Sequence, residues 1–232
     1  MKKIGFVGAY DKIETLLYVA KILKNFNKKV LVIDSCKMQK ARYIIPSIAP
    51  TVNYITTFEG FDVAVGFQNF AQIKGYLGKT NDEELEYDIA LIDVDSIEHF
   101  ENYEIFHADN LFFATGFDLY SLKKGLEILG GLQQPVPMTK MLFANKILPQ
   151  DNEYLNFLAK DTKVIWNENI IGILTSDLDN VVFFENQRVA KLKYKNLSPA
   201  YKESLATIVM TILPGTKIND IVKTLKTIDK GV

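Results

Sequence analysis

Cysteine and histidine are scarce in this 232-residue chain, which contains one cysteine, Cys36, and two histidines, His99 and His107. A single cysteine excludes a disulfide framework within the chain and a zinc site built from several thiolates. The two histidines lie eight positions apart on a segment predicted to be helical. This is not the i, i+4 spacing of a metal-binding helix. We therefore expect a reduced, intracellular protein with an inert thiol.

The chain also lacks an excess of either charge and lacks long apolar runs. Lys and Arg number 27 and Asp and Glu number 28, for a net charge of -1. No general basic surface is available to hold nucleic acid, so nucleic-acid binding is not expected. No segment approaches the roughly 18 uncharged apolar residues of a spanning helix. The first apolar run ends at Val7 and is too short for a signal peptide, so we expect a cytoplasmic protein.

The hydrophobic content of 48% is sufficient for a substantial core, and no linker or repeat divides the chain. We therefore predict a single domain over residues 1–232. Five short apolar runs that are typical of buried strands cover residues 4–7, 30–33, 89–92, 111–114 and 141–144. Helical periodicity over residues 13–26 and 119–129 separates some of these runs. This alternation predicts a three-layer α/β fold with a doubly wound, mostly parallel sheet, like that of P-loop NTPases.

Four other segments carry weaker patterns. Residues 53–67 are predicted to form a hairpin or an edge insertion, and residues 181–194 a strand or a hairpin. Ser198 and Pro199 are typical of a helix start, and that helix is predicted to continue to Pro214. A final amphipathic helix is predicted at about 217–228.

The ends of the predicted strands indicate where a ligand would bind, because ligands of doubly wound sheets lie outside the carboxyl ends of the strands. The residues that follow these strands include Gly8, Asp34, Asp93, Thr115 and Asn145. The turn after the first strand reads Gly8, Ala9, Tyr10, Asp11, Lys12, Ile13, Glu14. This order of strands, turn and later motifs resembles the MinD/ParA family of deviant-Walker ATPases, whose phosphate-binding loop reads G-K-G-G-V-G-K-[ST].

The resemblance implies a nucleotide-binding role for residues 8–14, with Lys12 in the position of the P-loop lysine, and ATP or ADP with Mg²⁺ as ligands. Val7 replaces the family's signature lysine, Asp11 replaces a glycine, and Ile13 replaces the Ser or Thr that binds Mg²⁺. An uncompensated carboxylate ~4 Å from a phosphate would cost ~4 kcal/mol at an effective dielectric near ~20. Loss of one positive charge from phosphoryl transfer typically lowers the rate by ~10³-fold or more. These departures predict a degenerate site, in which only Thr15 or Glu14 could replace the missing metal ligand.

Later segments carry further parts of the resemblance. Residues 87–93 resemble the family strand that ends in an Asp linked to the metal, which places Asp93 there. Asp34 ends the strand before the switch I region and is, with Asp93, a candidate metal ligand. Asn145 takes the position of the Asn that reads adenine. From the residues alone, Lys12 is equally a solvated lysine of the first helical turn. Asp93 is equally a strand-end residue that caps the next turn, and for Asp34 and Asn145 the residues alone favour a cap or turn role over a ligand role.

The family's roles imply a scaffold or positioning factor that forms a homodimer and docks a bacterial partner assembly, with little or no ATP hydrolysis. One alternative is a slow, atypical ATPase whose nucleotide-dependent dimerisation positions a plasmid, pilus, flagellar or division complex. Another is a regulator held peripherally at the membrane by the helix between Lys217 and Ile228, whose apolar face is flanked by lysines. The same helix would equally pack on its own sheet or on a partner protomer.

Overall fold

The computed structural model describes residues 1–47 and 52–229. The strands are β1 (Lys2–Val7), β2 (Val30–Asp34), β3 (Tyr54–Phe58), β4 (Phe61–Val65), β5 (Ile89–Val94), β6 (Asn110–Thr115), β7 (Val136–Ala144) and β8 (Val164–Leu174). The helices are α1 (Ile13–Asn25), α2 (Ala41–Ile44), α3 (Phe70–Tyr76), α4 (Ile97–Asn102), α5 (Leu119–Gly130), α6 (Pro149–Leu158), α7 (Asp177–Val189), α8 (Pro199–Ile212) and α9 (Ile218–Asp229). A short 3-10 turn covers Ile105–His107.

All eight strands belong to one sheet, in the order β3-β4-β2-β5-β1-β6-β7-β8. Every neighbouring pair is parallel except β3 with β4. The sequence runs that predicted strands are the central ones, where burial on both faces requires continuous apolar residues. The predicted doubly wound, mostly parallel α/β sheet is confirmed.

Helices cover both faces of the sheet and form two apolar clusters. One cluster packs α1, α8 and α9 on the face that carries Ile4 and Phe6 of β1. The other packs α3, α4, α5 and α6 on the opposite face, together with Ile92 and Val94 of β5. Alternate residues of β5 enter alternate clusters because successive side chains of a strand point to opposite faces. Asp93 therefore lies on the same face as α1.

The predicted hairpin in residues 53–67 is confirmed as β3 and β4, which pair antiparallel at one edge of the sheet. Its turn consists of Glu59 and Gly60, with φ of 51° and 84°. Two consecutive residues with positive φ form the kind of two-residue turn that joins twisted antiparallel strands. The Glu59 carboxylate also accepts a hydrogen bond from Lys21 Nζ on α1, at 2.5 Å.

The strand or hairpin predicted for residues 181–194 is wrong, because α7 covers most of this segment. Ser176 and Asp179 form a reciprocal capping box that starts the helix four residues before the apolar pattern suggested. The β-branched and aromatic residues from Val181 to Phe184 favour a strand locally, but the cap and the packing of Val182 on the core override that preference.

Four further elements were not predicted from the sequence: α2, α3, α6 and the edge strand β8. The expectation that His99 and His107 share one helix is also wrong. α4 ends at Asn102, and Glu104 then takes a left-handed conformation with φ of 52° that breaks the helix. Amphipathicity is weak in these short or exposed elements, which explains why periodicity did not reveal them.

The final helix begins at Ile218, one residue after the predicted start, and contacts α1 and α8. Ile221 and Leu225, on its apolar face, are buried in the core cluster. Of the alternatives for this helix, packing on its own domain is therefore the one observed. No helix in residues 1–47 and 52–229 has the length and apolar character needed to cross a bilayer.

Asp179 connects α7 to the start of α8. Its buried carboxylate accepts hydrogen bonds from Ser176 N, Ser176 Oγ and Ser198 N, each at 2.7 Å. Burial opposes the charged form, but these donors prevail and hold the pKa of Asp179 below its ordinary value.

Asp179→Ala would leave buried donors without an acceptor. We expect a loss of about 3 kcal/mol in the free energy of unfolding by urea. The exposed Asp82→Ala should cause no measurable change, and equal losses in the two variants would contradict this assignment.

Candidate functional site

Two carboxylates lie side by side at the carboxyl ends of central strands. Asp34 of β2 and Asp93 of β5 are direct register partners in the parallel pair, so their side chains point to the same face. Both residues are almost fully buried, at 1% and 3% exposure. Burial raises the pKa of Asp34 to about 7, and the neighbouring Asp93 carboxylate contributes to the same shift. Burial also raises the pKa of Asp93.

The charge that balances these carboxylates is Lys12, at the N-cap of α1. Its Nζ lies 2.5 Å from Asp93 Oδ1 and donates to the Gly8 carbonyl oxygen at 2.7 Å. The residue is only 2% exposed. Burial alone would lower the pKa of Lys12, but the Asp93 carboxylate reverses this effect and raises it, so the ammonium stays charged. Lys12 is therefore a buried ion-pair partner and not a solvated lysine of the first helical turn.

Cys36 is the third side chain of this cluster. Its Sγ lies 2.9 Å from Asp93 Oδ1, and its backbone N–H donates to Asp34 Oδ1 at 3.2 Å. Asp34, Cys36 and Asp93 each offer one potential metal-ligand atom, and these three atoms all lie within 4.8 Å of one another. Burial raises the pKa of the Cys36 thiol well above its ordinary value. No local pattern predicts this contact, because it depends on the path of the chain after β2.

The turn that leaves β1 has the tight geometry expected of a phosphate-binding loop. Gly8 has a φ of 138°, and a Cβ at this position would lie 2.1 Å from the Ala114 carbonyl oxygen. Only glycine fits here, since both the backbone angle and the contact exclude a side chain. Within residues 1–47 and 52–229, no protein backbone oxygen accepts from the N–H groups of residues 9–12. Such consecutive free N–H groups are the donors that anion-binding turns use.

A cavity of about 630 Å³ opens beside this turn, at the carboxyl ends of the strands where the sequence predicted a site. This volume lies within the range of small-molecule sites. Its lining combines backbone of the turn with carboxylates, lysines, aromatic rings and aliphatic side chains. The lining residues include Gly8, Ala9, Tyr10, Asp11, Ile13, Asp34, Asp93, Lys37, Lys40, Lys124 and Tyr120. The Tyr10 ring is fixed by stacking on Phe143, with centroids 4.4 Å apart.

Asp11 does not carry the uncompensated charge that its position suggests. Its carboxylate forms an ion pair with Lys40, from the segment after β2, although both side chains remain about half exposed. The expected ~4 kcal/mol penalty against a phosphate applies to an uncompensated carboxylate and is therefore an overestimate here. Lys40 lies 29 positions from Asp11, and no local pattern predicts the contact.

Three of the predicted site residues, Lys12, Glu14 and Asn145, do not line the cavity. Glu14 accepts a hydrogen bond from Gln187 Nε2 of α7 at 2.5 Å, and Asn145 is exposed in the turn after β7. Thr15 is buried and its hydroxyl hydrogen-bonds Tyr201 Oη at 3.0 Å. Neither Thr15 nor Glu14 therefore replaces the metal ligand that Ile13 cannot supply. The turn and cavity fit a nucleotide in size and donors, but the residues present do not complete a Mg²⁺ site. The assignment of Asn145 to adenine stays a prediction.

The ion pair between Lys12 and Asp93 should dominate local stability. Lys12→Met leaves buried carboxylates unpaired, and we expect it to cost about 3–5 kcal/mol in urea unfolding. Lys12→Met with Asp93→Asn removes both charges and should cost clearly less than the sum of the single variants. The exposed pair Lys124 and Glu127, cycled through Lys124→Met and Glu127→Gln, is the control and should show no resolvable coupling. Additive effects at Lys12 and Asp93 would contradict the pairing.

Glu14 should make stability depend on pH. Burial raises its pKa to about 7 in the folded chain, although the Gln187 hydrogen bond acts against the shift. The folded state then binds the proton more tightly than the unfolded state. This stabilisation is complete below pH ~4 and is lost as pH rises through about 7, at up to about 1.4 kcal/mol per pH unit.

We therefore expect Glu14→Gln to flatten the decline in unfolding free energy between pH ~4.5 and ~8. Urea titrations across this range measure the effect. The exposed Glu203→Gln on α8 should follow the wild-type curve. A Glu14→Gln curve parallel to the wild type would show that Glu14 does not titrate in this interval.

Comparison with solved structures supports the fold. The chain aligns with an ATP complex of a McdA variant from Cyanothece with a TM-score of 0.59 and 14% identity, over 94% of this chain and 98% of that one. It aligns with a MinC:MinD cell division protein complex from Aquifex aeolicus with a TM-score of 0.56 and 12% identity, over 94% and 98%. A ParA family ATPase from Chlorobium tepidum gives 0.53 and 12%, over 97% of both chains.

No family model and no curated protein matches the sequence. At these identities the structural likeness establishes the fold. The chain has the fold of ParA and MinD ATPases, as the resemblance in its strand order and turn predicted.

Proposed function

We propose that this chain is a ParA/MinD-like scaffold or positioning protein of the cytoplasm, which docks a protein partner assembly and hydrolyses ATP little or not at all. The observation that carries the proposal is the state of Lys12. Its ammonium is enclosed by Asp93 Oδ1 and the Gly8 carbonyl oxygen, at 2.5 and 2.7 Å. A lysine held in this way is a structural charge within the wall of the site.

The metal ligands support the same conclusion. Phosphoryl transfer in P-loop enzymes depends on a Ser or Thr and an acidic residue that hold Mg²⁺ against the phosphates. Here Ile13 cannot bind a metal, the Thr15 hydroxyl is bonded to Tyr201, and Asp93 is shared by Lys12 and Cys36. Val7 supplies no positive charge where the family has a lysine. Little remains to stabilise charge on a transferred phosphoryl group.

The proposed partner role draws on the neighbours of the fold. One of them was solved as a complex of MinD with MinC, and another is a McdA bound to ATP. The fold thus accommodates both protein docking and nucleotide. We propose that this chain keeps the docking role, and that any nucleotide at residues 8–13 acts as a bound effector.

The second candidate is a slow ATPase, and the cavity itself favours it. Its volume of about 630 Å³, the free N–H groups of residues 9–12 and the rim lysines Lys37, Lys40 and Lys124 would suit a nucleotide. Lys12 would then have to leave Asp93 for the phosphates when nucleotide binds. A membrane-bound regulator is less favoured, because Ile221 and Leu225 of α9 are buried in the core instead of facing outward.

Calorimetric titration with ATP and ADP, with and without Mg²⁺, together with phosphate release, separates the two candidates. The scaffold proposal expects no phosphate release above background and no gain in affinity from Mg²⁺. Lys12→Ala tests the site, and Lys223→Ala, exposed on α9, is the matched control. Mg²⁺-dependent turnover that Lys12→Ala abolishes and Lys223→Ala preserves would overturn the scaffold proposal. Nucleotide binding weaker than millimolar would exclude the ATPase.

A further inference from the structure

Two buried polar atoms face each other beside the cavity. Asp95 follows β5 and His99 lies in the first turn of α4. Asp95 Oδ1 and His99 Nδ1 are 3.9 Å apart, and neither atom forms a hydrogen bond with any residue that the structure describes. The His99 residue is only 8% exposed. Unsatisfied polar atoms in the interior are rare in folded proteins, so this pair requires a physical explanation.

The other polar atom of each side chain is held by a partner. His99 Nε2 lies 2.9 Å from Gln68 Oε1, and Asp95 Oδ2 accepts a hydrogen bond from Lys37 N at 2.9 Å. An amide oxygen only accepts, so His99 Nε2 carries the hydrogen in its contact. The neutral imidazole then has a lone pair at Nδ1, which faces the Asp95 carboxylate. Two acceptors in this position repel each other unless a cation or a double donor lies between them.

The surrounding charge favours a cation. Asp34, Asp93 and Asp95 all line the cavity, and the buried Lys12 ammonium pairs with Asp93. A water molecule between Asp95 Oδ1 and the imidazole would satisfy both acceptors but would leave the carboxylate charge uncompensated. A metal cation would contact both atoms and also supply the missing positive charge, which a buried carboxylate requires.

The ligand atoms select the class of metal. Imidazole nitrogen suits zinc and other first-row transition metals, whereas Mg²⁺ prefers oxygen ligands. Zinc binds nitrogen and carboxylate oxygen at about 2.0–2.2 Å, so one ion spans the 3.9 Å between the two atoms. Metal-binding histidines usually donate their second ring N–H to an oxygen, as His99 does to Gln68. We infer that Asp95 and His99 bind a divalent transition metal, whose other coordination positions open to the cavity.

The cluster of Asp34, Cys36 and Asp93 is a weaker candidate for this metal. Asp93 Oδ1 already contacts Lys12 Nζ and Cys36 Sγ, so a cation there would have to displace an ammonium. In the described part of the chain, no ammonium contacts the facing atoms of Asp95 and His99. The inferred site also requires neither a bound nucleotide nor the proposed scaffold function, and each can fail without the other.

Calorimetric titration of the untagged full chain with ZnCl₂ gives the first test. We expect one Zn²⁺ per wild-type chain, and no competition from an equal concentration of MgCl₂. Loss of an outer-shell partner costs about 10–100-fold in metal affinity, so loss of a ligand in His99→Gln or Asp95→Asn should cost at least ~100-fold. The matched controls are His107→Gln, at the exposed second histidine, and Cys36→Ser, and both should bind as the wild type does. Circular dichroism melting of each variant checks that it is folded.

Nitrogen NMR of the histidine rings gives a sharper second test, because it identifies the ligand atom. The metal-free chain should show His99 with its hydrogen on Nε2. Added Zn²⁺ should shift the Nδ1 resonance of His99 and leave the His107 resonances unchanged. Gln68→Ala removes the partner that positions the ring, and we expect a mixture of tautomers and about 10-fold weaker Zn²⁺ binding. A purely structural role of Gln68 would leave the tautomer unchanged.

Four outcomes would overturn the inference. A wild-type chain that binds no Zn²⁺ would show that the facing atoms do not form a metal site. Binding that survives His99→Gln but is lost in Cys36→Ser would place the ion at the cluster of Asp34, Cys36 and Asp93. Binding lost in His107→Gln would indicate adventitious coordination at the surface. Mg²⁺ that competes as strongly as Zn²⁺ would contradict the inferred class of metal.

Discussion

The buried ion pair between Lys12 and Asp93 is the interaction on which the candidate site depends. Asp34 and Asp93 are register partners on adjacent parallel strands, so the fold places two carboxylates side by side away from water. Burying such charges without a counter-charge is strongly unfavourable. The Lys12 ammonium supplies that charge, and the Cys36 thiol and the Gly8 carbonyl complete its surroundings. The position of the first turn of α1 is thereby tied to the centre of the sheet.

This interaction connects the architecture to the proposed function. A lysine that reaches phosphates must be free to leave its resting partners, and here Lys12 is buried in an ion pair with Asp93. If Lys12 moved to a nucleotide, the buried carboxylate of Asp93 and its neighbour Asp34 would lose their counter-charge. Nucleotide binding would have to compensate for this loss of stability. The same ion pair that stabilises the site therefore supports the proposed scaffold function over the ATPase.

The regular part of the fold could be predicted because it follows from local pattern. Continuous apolar runs such as residues 30–33 and 89–92 indicate central strands, and the strand ends locate the cavity. The exposed edge was not predictable in the same way. β8 carries several exposed polar residues, and α7 contains residues that favour strands, so tertiary packing and a capping box decided both.

The sequence by itself determined the sheet class, the glycine at position 8 and the acidic strand ends, because each follows from strand burial or from the space available at one residue. Only the tertiary structure decided what the charges do. Lys12 pairs with Asp93. Lys40 pairs with Asp11, 29 positions away, and Gln187 with Glu14, 173 positions away. Contacts between distant segments depend on the path of the chain in three dimensions, and neither periodicity nor spacing along the sequence encodes that path.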